Sequence, residues 1–126
     1  MGCDIHAWIE YIEHDAVQCF GSVGFWRNYA LFGVLAGVRK HDLPHIEPRG
    51  LPPEISFEVR HSYNDWGADA HSASWLTLDE VRTAQGRFME ELAKWPGSNG
   101  TYPMLDGVIA VMEVLPGSRL VFWFDN

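Results

Sequence analysis

Cysteine is scarce: Cys3 and Cys19 are the only two in 126 residues, too few for a disulfide-stapled scaffold. No apolar run approaches the roughly 20 residues that span a bilayer, and Asp4 arrives before the apolar stretch of a signal peptide can form. The expectation is two free thiols in a reducing cytosol, with no membrane attachment. The opening Met1-Gly2-Cys3 only faintly resembles a lipidation signal, because position 6 holds His6 where myristoylation wants Ser or Thr. Positive charge is short as well, with nine Lys and Arg against 17 Asp and Glu and a formal net charge of −8. Such a balance repels a nucleic-acid polymer, whose binding rests on neutralising many phosphates. It leaves room for one small anion held by a few converging arginines. Signature loops are missing too. Gly21-Ser22-Val23-Gly24 lacks both the Lys-Ser/Thr ending of a phosphate loop and the third glycine of a dinucleotide fingerprint. No HExxH, GxSxG or paired CxxC occurs, which counts against the common enzyme classes.

What is present is core material. Apolar residues make up 47 % of the chain, including six Trp, seven Phe and four Tyr, enough for a packed interior at a length typical of one domain (1–126). Residues 5–13 are β-branched and aromatic and read as a strand, with Ile5, Ala7, Ile9 and Tyr11 on one face and Asp4, His6, Trp8 and Glu10 on the other. A shorter strand is expected over 16–20, ending in the glycine-containing turn Gly21 to Gly24. Leu31, Val34, Leu35 and Val38 recur at helical spacing within 30–38. Five Pro and Gly residues between 39 and 53 predict a long loop, and Pro53 suits the first turn of a helix reaching about Tyr63. A polar segment follows through His71 to Ser74. Thr77-Leu78-Asp79-Glu80 has the form of a capping box, opening an amphipathic helix marked by Leu78, Val81, Phe88, Leu92 and Trp95 and stopped by Pro96-Gly97. Residues 104–115 carry both strand and helix signals and are assigned to helix. Leu120 to Phe124 is a nearly continuous apolar strand suited to the middle of a sheet. The fold class expected is α+β: a small, mostly antiparallel sheet that includes the first and last strands, packed against two or three helices.

Two groups of residues carry the candidate chemistry. The first is a repeated Asp-x-His, Asp4-x-His6 and Asp69-x-His71. Carboxylate plus imidazole is a ligand set for zinc, manganese or iron, and two such pairs meeting in space build a site that activates water. His61 and Asp65 lie close by in the chain, and Asp125 can approach Asp4 or His6 if the first and last strands are neighbours. The plainer alternative is loop capping by the aspartates and hydrogen-bonded, half-buried imidazoles. The second group is Trp26, Arg27, Arg39, Arg49, Arg60 and Trp66, aromatic and guanidinium groups gathered in irregular segments. Aromatic faces stack on bases and guanidinium groups take phosphate bidentately; the alternative is core tryptophans and solvated surface arginines. A nucleophilic Cys3 near His6 has no visible activating partner.

Several stretches carry a family resemblance: Cys3-Asp4-Ile5-His6, Arg27-Asn28-Tyr29-Ala30-Leu31-Phe32, Glu47-Pro48-Arg49-Gly50-Leu51-Pro52, His71 with Ser74-Trp75-Leu76-Thr77, and Val121-Phe122-Trp123-Phe124-Asp125-Asn126. Together they resemble a family of small uncharacterised proteins of phages and prophages. The resemblance implies a phage accessory protein in a bacterial host cytoplasm and assigns no catalytic residues. The leading expectation is a protein that binds, and so sequesters, a small phosphorylated nucleotide-like ligand in one polar pocket, plausible as counter-defence. In it, arginines meet phosphate, Trp or Tyr meets the base, and Asp4, His6, Asp69 and His71 orient loops or meet ribose hydroxyls. Two alternatives stay open: a metal-dependent hydrolase or phosphodiesterase using those four residues on zinc or manganese, and a protein-binding inhibitor of a host factor. Whether the chain is an enzyme is left open, and a homo-oligomer is compatible with a sequestering role.

Overall fold

The computed structural model describes residues 2–97 and 102–125; Met1 of the opening tripeptide and Asn126 of the closing stretch lie outside the described residues. Four strands, β1 (Asp4–Glu13), β2 (Ala16–Val23), β3 (His71–Thr77) and β4 (Arg119–Asp125), form one antiparallel sheet in the order β2-β1-β4-β3. First and last strands are therefore neighbours at its centre, and an α+β fold is observed. Directly paired residues share a face, so the register Ile5↔Phe124, Ala7↔Phe122 and Ile9↔Leu120 builds one apolar surface. The alternate register His6↔Trp123, Trp8↔Val121 and Glu10↔Arg119 builds the other.

Helices α1 (Tyr29–Ala36), α3 (Leu78–Leu92) and α4 (Pro103–Val114) cover the first face, where Phe32, Phe88, Phe122 and Phe124 lose all solvent contact. Each such ring stabilises the fold by roughly 1.5–3 kcal/mol relative to exposure. Helix ends follow from local chemistry. Asn28 Oδ1 accepts from Leu31 N at 3.2 Å to start α1. Gly37 stops that helix at φ 72°, where a side chain would run into the His45 ring. Thr77 and Glu80 form the capping box of α3, as its sequence predicts, and Pro103 occupies the first turn of α4.

Helix α2 (Phe57–Trp66) and the preceding loop cover the second face. There Val59, Val121 and Trp123 are buried among Trp8, Leu51, Ile55, Tyr63, Trp66 and Trp75. One polar node holds this layer down. Glu10, fully buried, accepts from Ser56 N at 2.6 Å and from Arg119 Nε and Nη2 at 3.0 and 2.8 Å. Arg119 Nη2 also donates to the Glu54 carbonyl.

Four expectations are corrected. Residues 71–74, read as a polar segment, belong to β3, a strand recruited by pairing with β4 and broken by an irregularity between His71 and Ser74. Helix α2 starts at Phe57 rather than Pro53, because Ser56 Oγ accepts from Val59 N at 3.3 Å and sets the first turn there. Strand β2 runs on through Val23 where a turn was expected; a bulge between Ile9 and Glu10 leaves Phe20 as an extra residue and keeps pairing alive on both sides. Trp95, placed on the inner stripe of α3, lies beyond the helix and is 58 % exposed.

Removing one partner of a buried ion pair strands the other charge. Glu10→Ala is expected to cost about 3–5 kcal/mol in urea unfolding, and Glu10→Ala with Arg119→Met distinctly less. A single-variant loss within surface scatter would show that the node does not hold the layer.

Candidate functional site

The polar groups converge where β1 begins and β4 ends. Asp4 and His6 sit two apart on β1 and project to the α2 face. Asp125 pairs across from Asp4 and reaches diagonally to His6, whose Nε2 lies 2.7 Å from Asp125 Oδ2. Both side chains are largely shielded, with 24 % and 18 % exposure. The contact with Asp125 fixes the orientation of the imidazole ring. The Trp66 ring covers the imidazole at a centroid distance of 4.2 Å, and buried Trp123 lies at 6.1 Å. Arg27 makes a two-point bond to Asp4, with Nε and Nη2 each 3.0 Å from a carboxylate oxygen. Beside this group a cavity of about 270 Å³ opens between β1, the exit of β2 and α2, lined by His6, Trp8, Ser22, Gly24 and Ser62. A larger groove of about 530 Å³ lies at the opposite end of the sheet, lined by Trp75, Asp79, Glu113 and Arg119 among others.

Arg27 holds the Asp4 carboxyl below its ordinary 3.8. Burial pushes the Cys3 thiol up; Arg39 opposes this, Asp125 and Asp4 add to it, and Arg27 opposes it. Cys3 is therefore a poor nucleophile at neutral pH, and its backbone N–H donates to the Tyr29 hydroxyl at 3.2 Å. Both cysteines are free.

The two Asp-x-His pairs do not meet. His71 pairs across from Phe124, so it lies on the α1/α3/α4 face, opposite His6, and its ring stacks over Phe124. Its Nδ1 bonds Ser72 Oγ at 3.0 Å, while its buried Nε2 has no partner among the described residues. Asp69 is exposed in a short 3-10 turn, Gly67–Asp69. Among the described residues no group of three or more His, Cys, Asp and Glu is arranged to hold a metal ion. The exposed pair His61 and Asp65 lies 3.5 Å apart along α2.

Of the ligand-binding candidates, Arg27 and Trp66 reach the His6 end through Asp4 and His6. Arg49 is engaged elsewhere: it forms a two-point ion pair with Glu80 and stacks 4.7 Å over Trp75. Arg39 lies 5.1 Å over the Tyr29 ring. Arg60 is exposed on α2. Trp26 is 52 % exposed, packed on Tyr102 at 4.7 Å, and its carbonyl accepts from the Tyr102 hydroxyl at 2.9 Å. Burial pushes that phenol up to about 12, against the lowering effect of the Trp26 bond. Sequence reasoning missed Ser22 and Ser62. Ser22 sits opposite Trp8 because of the β2 register, and Ser62 lines the cavity from α2 once that helix packs on the sheet. Compared with family models, curated proteins and solved structures, the chain matches none. No helix among the described residues is long and apolar enough to cross a membrane.

Two carboxylates are held charged by arginines, Asp4 by Arg27 and Glu80 by Arg49. Their folded values lie below the unfolded ones, so the stabilisation is complete above about pH 4–4.5. It is lost as pH falls through the depressed folded values. Carbon-detected NMR titration is expected to find Asp4 below 3.8 and Glu80 below 4.5. Arg27→Ala should raise the first and Arg49→Ala the second, each without moving the other. Unmoved titrations in both variants would contradict the pairing.

Proposed function

We propose that the chain binds a small phosphorylated, nucleotide-like molecule at the Asp4–His6–Asp125 end of the sheet. The reading is carried by one juxtaposition: the His6–Asp125 hydrogen bond and the Arg27–Asp4 pair stand side by side at one end of the sheet, where His6 also lines the adjacent cavity. Carboxylates and an oriented imidazole suit the hydroxyls of a ribose diol. Arg27 spends two of its five N–H donors on Asp4, which leaves three for a phosphate oxygen. Trp66 offers an aromatic edge beside them, and Ser22 and Ser62 add adaptable hydroxyls. Because the site mixes two carboxylates with one guanidinium, recognition rests on the sugar as much as on the phosphate.

The separation of His6 from His71 across the sheet favours binding over metal-dependent hydrolysis by those four residues. The resemblance to phage and prophage proteins supplies a setting: a bacterial host cytoplasm, where sequestering a nucleotide signal serves counter-defence. That setting is part of the proposal.

Titration calorimetry with AMP, ribose 5-phosphate and inorganic phosphate tests it. AMP and ribose 5-phosphate are expected to bind and inorganic phosphate to bind far more weakly. His6→Ala and Arg27→Ala should each weaken binding about tenfold or more, roughly 1.4 kcal/mol per decade. Absence of binding by all three probes at millimolar concentration, or binding indifferent to both substitutions, would overturn the reading.

A further inference from the structure

The two edges of the sheet are treated differently. The outer edge of β3 is covered by the loop before α2: Gly50 N donates to the Ala73 carbonyl at 2.8 Å and Arg49 Nη1 to the Trp75 carbonyl at 3.2 Å. The outer edge of β2 has no such cover. Among the described residues its backbone bonds run to β1 alone. An exposed edge is a template for another strand, and proteins guard it with charge, proline, a bulge or a covering segment, of which β2 has the bulge at Phe20. Strand β2, Ala-Val-Gln-Cys-Phe-Gly-Ser-Val, carries no Asp, Glu, Lys, Arg or Pro in a chain of net charge −8.

Apolar surface gathers along this edge. On the α4 side a groove of about 250 Å³ is bounded by Phe20, Val23, Met104, Val108 and Val111. The bulge that makes Phe20 an extra residue also turns it outward, 56 % exposed. On the α2 side stands Phe57, 78 % exposed.

We propose that the free edge of β2, with Phe20 and the groove beside α4, is a self-association surface on which a second copy of this chain pairs antiparallel. The four strands of each copy then form one continuous sheet of eight. A twofold contact uses the same patch on both partners, so the patch must complement itself. This one holds both a projecting ring and an apolar recess to receive the ring of the second copy. The strand itself carries no charged side chain, so pairing it with its own copy sets no like charges against each other along β2. Elsewhere two copies of net charge −8 repel each other, which leaves the uncharged edge as the favoured line of approach. The bulge interrupts the ladder, so backbone pairing is short and the ring insertion supplies much of the hold.

The test is the mass in solution from micromolar to millimolar protein, by light scattering and native mass spectrometry. The wild-type chain is expected to pass from 14.3 kDa to twice that mass as concentration rises. Phe20→Lys removes the ring. Gly107→Lys puts a charge at the groove where an added Cβ meets nothing within 4 Å, so the fold is not strained. Both reduce the net negative charge, so a loss of dimer cannot come from added repulsion. Each should weaken association at least tenfold, while Met89→Lys on exposed α3 leaves it unchanged. A wild-type monomer at millimolar concentration, or a dimer indifferent to both Phe20→Lys and Gly107→Lys, would overturn the proposal.

Discussion

Glu10 has no contact with solvent, yet it is charged and sits in the middle of a sheet, a position that costs stability unless every oxygen is served. The Ser56 amide and the Arg119 guanidinium serve it, and Arg119 in turn holds the Glu54 carbonyl. These bonds join residues 46, 65 and 109 positions apart in the chain. Their effect is to fix the N-terminus of α2 against the second face of the sheet. With that end fixed, Val59 and Tyr63 pack on Val121 and Trp123, and Trp66 arrives over His6. The candidate site is thus a downstream consequence of a buried ion pair at the other end of the same strands.

Charge pairing also limits which arginines are available to a ligand. Arg119 is committed to Glu10, Arg49 to Glu80, and Arg82 lies between Asp79 and Glu113. Arg27 is paired as well, but through a half-exposed contact with Asp4 at the His6 end of the sheet. In an acidic chain a guanidinium needs a carboxylate neighbour to stay placed, and at this end of the sheet that neighbour belongs to the site itself. Recognition by mixed carboxylate, imidazole and guanidinium groups follows from that arrangement, where an arginine cluster alone would have favoured phosphate.

Much of the frame was legible. The alternation of Ile5, Ala7 and Ile9 against Asp4, His6, Trp8 and Glu10 gave both faces of β1 correctly, because a strand's period of two needs no tertiary knowledge. Thr77 and Glu80 marked the start of α3 through purely local bonds. The apolar run from Leu120 to Phe124 pointed to a central strand, and from that position Asp125 reaches His6. What failed depended on partners far away in sequence. His71 to Ser74 looked too polar for a strand, yet β4 and the Arg49–Gly50 segment recruit it. Ser72 takes a left-handed conformation at φ 55°, and the irregularity there sets His71 and Ser74, three apart, on one face. That shift of parity separates His71 from His6, and no spacing rule reveals it. Arg49 was grouped with the ligand residues because it lies in a loop; its carboxylate partner is 31 residues further on.

The central claim is that the end of the sheet holding Asp4, His6, Arg27 and Asp125 is a preassembled site for an organic ligand rather than a metal centre shared with His71. Native mass spectrometry on protein purified without chelator tests it most directly, because retained ligand and retained metal differ in mass. The account predicts a co-purified organic mass on the wild-type chain that disappears in His6→Ala and survives in His71→Ala. Stoichiometric zinc or manganese, lost with either histidine, would contradict it.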